Sequence, residues 1–371
     1  MHGLLALCLR FSPRPNPDTL RTAAAQIEDW ESIPALVEMH GLAPLLNYQL
    51  VNAGVQLPPD TALTLKGQAL RDRLENKARS RQIATLATEF ANAGLTLVFL
   101  KGSALAHLLY PEAGLRPMSD IDVLVKSDDL PAAVDLLNRL GFSHAPLNLD
   151  DLDKRRHLPV FIKEDDGYVI QLELHFAMLQ RNDGQPWFRL EDLLSPLQTF
   201  SPVPGVSALA LGHEDMLFHL CQHTLYNNRG FEALRWGKLA DILNYAEIFN
   251  AQINWELVCR RYPCVPHVLS CLHELAPLST NLPEKTRQAL PPMRPARVGE
   301  GFNGWPVVTI QSRHKSGLRS FLNNTLFPSP WWLELEYGID HPAPLWYYWL
   351  KHLYNLLGEA QMRIRLRLSQ K

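Results

Sequence analysis

The sequence predicts an α+β fold: a small β-sheet core flanked by N-terminal and C-terminal helical regions. Three observations predict it. Residues 1–94 carry apolar side chains at helical spacing, residues 95–200 alternate between strand-like and helix-like runs, and from 207 onward the spacing is helical again. A chain of 371 residues is long enough for two or three domains and a large core. The expected division is an N-terminal helical region over 1–94, an α/β core over 95–200 and a C-terminal helical domain over 205–371.

Taken in order, residues 33–50 and 62–93 show helical periodicity, with Pro58-Pro59 between them. Residues 96–100 and 121–125 read as strands, and 103–110 and 130–140 as helices. Gly141 is a helix stop. Asp166-Gly167, set between two β-rich runs, signals a hairpin. Ser201-Pro202-Val203-Pro204-Gly205 reads as a hinge, and a Pro- and Gly-rich stretch at 277–306 interrupts the last region. The aromatic-rich segment 345–357 is short and contains Lys351 and His352, so it reads as an amphipathic helix packing on its own protein. There is no internal repeat and no long low-complexity tract.

Candidate chemistry concentrates in one part of the chain. The apolar run Leu97-Val98-Phe99-Leu100 ends in Lys101-Gly102-Ser103. Gly102 has no Cβ, so the backbone there can approach a phosphate closely, beside a helix N-terminus. One helix later comes Arg116-Pro117-Met118-Ser119-Asp120-Ile121-Asp122-Val123. Side chains alternate along a strand, which puts Asp120 and Asp122 on one face with Cα atoms roughly 7 Å apart. Carboxylates at that spacing can converge on one or two divalent cations. Taken singly, Gly102-Ser103 is a capped helix start and Asp120 with Asp122 an exposed strand edge. Together, beside the apolar Ile121, Val123, Leu124 and Val125, they favour metal, because buried carboxylates are costly unless paired or metal-bound.

On the second strand of the expected hairpin, Gln171, Glu173 and His175 share one face and Leu172, Leu174 and Phe176 the other. Glu173 is an isolated acid there, read as a third ligand or as the base for an acceptor hydroxyl. His175 either supports that acid, contacts substrate or is a hydrogen-bonded structural histidine. Lys101 and Arg116 are candidates to hold phosphate charge. The plainer alternatives are a solvated strand end for Lys101 and a salt bridge to Asp120 or Glu112 for Arg116.

These residues resemble the signature of the nucleotidyltransferase superfamily that includes DNA polymerase beta: an apolar residue, Gly, then Gly or Ser, a helix, Asp-apolar-Asp/Glu-apolar, and a third acid on a later strand. Leu100, Gly102 and Ser103, with Lys101 inserted, are similar to the first part, Asp120-Ile121-Asp122-Val123 to the second and Glu173 to the third. Leu-Lys-Gly-x-Ala-Leu, Arg-x-x-Ser-Asp-Ile-Asp-x-Leu-Val and Glu-Leu-His-Phe look like a bacterial branch of uncharacterised nucleotidyltransferases. The similarity covers residues 97–176, and the 16 residues between Ser103 and Asp120 exceed the superfamily norm, with Pro111 and Gly114 suggesting a loop. The resemblance implies a small mixed β-sheet nucleotidyltransferase core that transfers an NMP group from an NTP by two-metal-ion catalysis. It implies Asp120, Asp122 and Glu173 as catalytic and metal-binding residues. It places Lys101, Gly102, Ser103, Arg116 and Ser119 at the nucleotide, and Mg²⁺, with Mn²⁺ as an alternative, as cofactor.

A second constellation lies further on. His219 and His223 stand one turn apart, but Leu220 replaces the Glu that a metalloprotease motif places after its first His. Arg235, Lys238 and Asp241 recur at three-residue steps as a polar stripe. In the resembled branch this helical pair packs against the catalytic sheet and helps hold substrate; the alternative for Asp241 is a helix–helix salt bridge.

A net charge of −2 and a pI near 6.7 argue against general DNA binding. Two local basic groups, Arg71, Arg73, Lys77, Arg79 and Arg81, and Arg363, Arg365 and Arg367, read as solvated helix faces. The five cysteines include no Cys-x-x-Cys pair, and Cys259, Cys264, His267, Cys271 and His273 match no common zinc spacing. Arg10 and Arg14 interrupt the apolar N-terminus and no run approaches a membrane span, so a cytoplasmic protein without membrane contact is expected. The acceptor stays open among protein, RNA, sugar, drug and peptide. A non-catalytic nucleotide sensor on the same fold and a toxin or antibiotic-modifying enzyme are the alternatives.

Overall fold

The computed structural model describes residues 2–146, 156–178, 188–226, 235–278 except 263, and 343–369, with a few isolated positions between the last two segments. The chain divides into two compact units, residues 1–220 with 236–255, and residues 221–235 with 256–371.

The first unit opens with helices α1 (His2–Cys8), α2 (Pro17–Ala25), α3 (Ile33–Met39), α4 (Ala43–Asn52) and α5 (Pro59–Asn92). Residues 33–50 thus form two helices rather than one run. Gly41, at φ +66°, takes the left-handed conformation that ends α3, and Pro44 sits in the first turn of α4, where its missing N–H is harmless. Pro59 plays the same part in α5, which runs for 34 residues.

Seven short strands follow: β1 (Val98–Phe99), β2 (Ile121–Leu124), β3 (Ser143–His144), β4 (Phe161–Asp165), β5 (Tyr168–His175), β6 (Gln198–Phe200) and β7 (Ala208–Ala210). Between them lie α6 (Lys101–Leu108) and α7 (Leu130–Arg139), and α8 (His213–Tyr226) and α9 (Trp236–Ile248) come after. Gly141, at φ +86°, stops α7 as its sequence position implies. The order across the sheet is β3-β4-β5-β2-β1-β7-β6. β2 runs parallel to β5, and β1 parallel to β7, while the other neighbours are antiparallel. The architecture is therefore α+β, a small mixed sheet with helices on its flanks. Val98, Phe99, Ile121, Val123, Leu172 and Leu174 are fully buried and form the middle of this core.

Two turns explain much of the topology. Asp166 and Gly167 lie at φ +51° and +79°, the pair of left-handed residues a two-residue hairpin needs, and they join β4 to β5. The segment 201–205, read from its prolines as a hinge, is the turn of a second antiparallel hairpin, β6–β7. Strands of three residues carry too little alternation to be legible, whereas the prolines that end them stand out.

The second unit carries α10 (Trp255–Arg261), α11 (Cys264–Leu275) and α12 (Leu345–Ser369). Tyr348 of α12 is buried with Leu333, against Ala343, Leu345 and Trp349. Trp346, Leu350, Tyr354 and Leu357 are exposed, so only one side of this helix packs as the sequence suggests. Most of 277–306 and the side chains of Arg363, Arg365 and Arg367 lie outside the described residues. Among the described residues no helix is long and apolar enough to cross a membrane.

Candidate active site

The parallel pairing of β2 with β5 sets Asp122 directly beside Glu173 and Leu124 beside His175. Side chains of paired residues in a sheet point to the same face, so the two acids come together with His175 one pleat further along. His175 Nε2 lies 3.0 Å from Asp122 Oδ1 and 3.3 Å from Glu173 Oε2. Lys101 Nζ donates to the same Asp122 Oδ1 at 2.8 Å. Donor atoms of Asp122, Glu173 and His175 all fall within 4.8 Å of one another, close enough to share a metal ion. This set contains His175 in place of Asp120. Asp120 precedes β2, is half-buried, and accepts a 2.9 Å hydrogen bond from the exposed Ser119 hydroxyl.

The turn before α6 fixes Asp122 from the other side. Leu100 N–H donates to the Asp122 carbonyl at 3.0 Å, and Asp122 N–H donates to the Ser103 hydroxyl at 2.9 Å. Ser103 is fully buried. The left-handed residue of this turn is Lys101, at φ +43°, and not Gly102. Gly102 is needed for a different reason: a Cβ there would run into the Arg116 guanidinium, with Cζ 2.9 Å away, and would crowd Met118 Cγ at 3.2 Å.

Arg116 lies flat over that glycine because Asp241 of α9 holds it. Its Nε meets Asp241 Oδ1 and Oδ2 at 3.0 and 3.1 Å, and Nη2 meets Oδ2 at 2.7 Å. Tyr110 donates its hydroxyl proton to Asp241 Oδ1 at 2.7 Å. Asp241 is thus a buried ion-pair partner, and Arg116 bonds neither Asp120 nor Glu112. Lys238, one turn before, is half-buried, and Arg235 is exposed and belongs to the second unit.

Residues that sequence reasoning passed over complete the support. Asn76 of α5 donates from Nδ2 to the carbonyls of Ala113 and Arg116 at 2.7 and 2.6 Å, and Arg79 reaches the Ser119 carbonyl at 3.4 Å. Both side chains are buried, so this part of α5 is not a solvated basic face. On the surface, Arg71 pairs with Glu38, Arg73 with Glu112 and Arg81 with Asp166, while Lys77 is exposed. A polar residue on the buried side of a long helix is the signal that could have found Asn76.

Electrostatics separate the three acids. Burial pushes Asp120 above the usual carboxylate range, and the charge of Asp122 pushes it further. Burial works the same way on Asp122, but Lys101 and His175 outweigh it and hold the carboxyl well below that range. The hydrogen bond from His175 lowers Glu173 against an opposing effect of burial. Buried His219 of α8 is held well below the ordinary imidazole value by burial and then by the nearby Lys101 charge, so it faces this cluster as a neutral ring. Asp122, Glu173 and His175 thus offer donor atoms to one point beside a single ammonium, a donor set that fits a divalent cation.

The chain belongs to the family of uncharacterised nucleotidyltransferases, whose family model matches residues 26–268. Among solved structures it is similar to an antigenic nucleotidyltransferase-like protein from Paracoccidioides brasiliensis, at 15% identity over 55% of this chain and 96% of that one, with a TM-score of 0.34. It is also similar to the antibiotic-resistance factor ANT(2'')-Ia, at 14% identity over 49% and 89% of the two chains, with a TM-score of 0.34. No curated protein matches the sequence significantly.

Proposed function

We propose that the protein transfers an NMP group from an NTP to an acceptor. The observation that carries this reading is the parallel β2–β5 register, which sets Asp122 beside Glu173 next to the Lys101-Gly102-Ser103 turn. Asp120, Asp122 and Glu173 would hold Mg²⁺, or Mn²⁺ in its place. Bound there, the metal supplies neutralisation of phosphate charge and a lower pKa for the acceptor hydroxyl.

The chain's own groups do the rest. The acceptor oxygen forms a bond to the α-phosphorus, the α–β bridging P–O bond breaks, and pyrophosphate leaves with the bonding electrons. Glu173, ionised at neutral pH, takes the hydroxyl proton. Lys101 and the N-terminal turn of α6, with Gly102, Ser103 and Ser119, would hold the triphosphate. Arg116 and Asp241 keep that turn in shape, and His175 and Lys238 are the candidates for substrate contact. A cytoplasmic setting, where NTPs are abundant, suits this reading.

Incubation with each α-labelled and γ-labelled NTP and Mg²⁺ tests it. Label from the α position is expected in a protein, RNA or small-molecule fraction, with pyrophosphate released. Labelling from the γ position would identify phosphoryl transfer instead, and nucleotide binding without any labelling would identify a sensor.

A further inference from the structure

Lys101 stands out in three ways. It takes a left-handed φ of +43°, a conformation that a lysine adopts only at an energetic cost. It is buried, at 9% exposure. Its ammonium rests 2.8 Å from Asp122 Oδ1, on the carboxylate that the site would present to a cation. A glycine at 101 would relieve the backbone strain, so the strain is held in place by what the side chain does. Charge explains what that is. Asp122 and Glu173 are paired neighbours on the interior strands β2 and β5, with Asp120 just before β2, and like charges so placed repel one another. Without a positive group the fold would carry that repulsion through every metal-free moment.

We propose that Lys101 is a tethered placeholder cation: it occupies Asp122 while the site is empty, and moves to the triphosphate when a divalent metal and nucleotide arrive. The inference rests on the cation-binding reading above. The move would be short, because Lys101 is the first residue of α6 and its backbone already lies at that helix N-terminus, the end that favours an anion. A four-carbon stem with freely rotating bonds can serve both positions, which the planar fork of an arginine would do less well. The metal and the lysine therefore compete for Asp122, and the nucleotide lifts the competition by giving the ammonium another anion. Metal and nucleotide would then bind cooperatively, each removing an obstacle to the other.

Two titrations on the full chain, stripped of metal, test this. The first follows Mn²⁺ binding by the electron-spin signal of the free ion, with no nucleotide present. Lys101→Met is expected to bind Mn²⁺ at least tenfold more tightly than wild type, because the competing charge is gone. The second follows inorganic tripolyphosphate by calorimetry at saturating Mn²⁺. There Lys101→Met is expected to bind at least tenfold more weakly, because the ammonium's second partner is lost. Lys101→Gln keeps a donor for Asp122 without the charge, and is expected to follow Lys101→Met in both titrations if the methionine variant folds poorly. Unchanged or weaker Mn²⁺ binding in the charge-free variants overturns the placeholder role. Unchanged tripolyphosphate binding overturns the move and leaves Lys101 as a fixed partner of Asp122. Either failure in a wild-type protein that still transfers α-label counts against this inference alone. Absence of α-label transfer with both titrations as expected counts against the transferase reading alone.

Discussion

At the scale of single residues, Asp122 of β2 and Asp120 just before it differ in what they do for the fold. Asp122 is the counter-charge of a buried lysine and an acceptor for His175. Asp120 is an acid that its surroundings push toward the neutral form. Asp120→Asn is therefore expected to leave stability unchanged or raised, since the amide removes a repelled charge. Asp122→Asn leaves the Lys101 ammonium without its partner and is expected to destabilise by about 3–5 kcal/mol. Both should lose transfer. Chemical denaturation of the two variants separates them, and equal stability losses would contradict the charge assignment. Gly102 supplies a second case. Gly102→Ala should displace Arg116 from Asp241, and in a double-mutant cycle with Asp241→Asn the two losses should fall short of additive. Additive losses would show that the Arg116 guanidinium does not depend on the missing Cβ.

At the scale of elements, the long helix α5 places the loop that delivers Asp120. Asn76 alone holds two carbonyls of that loop, and Arg79 a third. Asn76→Ala leaves both of those carbonyls short of a donor, and a loss of about 1–3 kcal/mol is expected, together with weaker nucleotide binding in a calorimetric titration. A stability loss with full nucleotide affinity would confine Asn76 to structure. The β4–β5 turn is a contrast, because it shapes β5 from a distance. A Cβ at Gly167 would touch nothing within 4 Å, yet its φ of +79° strains any other residue. Gly167→Ala is expected to lower stability by about 1 kcal/mol in thermal melts while transfer persists in the folded protein.

At the scale of the molecule, the half-buried His107 and the buried His219 tie stability to pH. Burial pushes His107 down to about 4, and His219 is held well below its ordinary value. Between about 6.5, where an unfolded histidine titrates, and about 4, the unfolded chain binds protons that the folded one refuses. The stability these residues contribute is full above that window and declines as pH falls through it. Asp122 and Glu173, both lowered, add losses at still lower pH, and the raised Asp120 opposes them in part. The melting temperature is expected to fall steadily from pH 7 to pH 4.5, and His107→Phe to flatten that slope. A slope unaltered in the variant would remove His107 from the account.

The sequence by itself determined the fold class, the family and the places where the backbone must turn. These are local matters. A left-handed glycine at a helix end and an Asp-Gly hairpin announce themselves through neighbouring residues, as Gly141 and the β4–β5 turn do, whereas Gly41 broke a stretch that reads as one helical run. The spacing Lys101-Gly102-Ser103 to Asp120-x-Asp122 is likewise written along one stretch of chain. The tertiary structure alone decided which residue answers which. The β2–β5 register chose Glu173 as the neighbour of Asp122, and the packing of α9 chose Asp241 as the partner of Arg116 across 125 positions. It also put the left-handed conformation of that turn at Lys101, placed His175 between two acids, and added β6 and β7 to the sheet. The physical reason is range: turn preferences act over a few bonds, whereas charge pairing and strand register depend on segments far apart in the chain that meet only when the core closes.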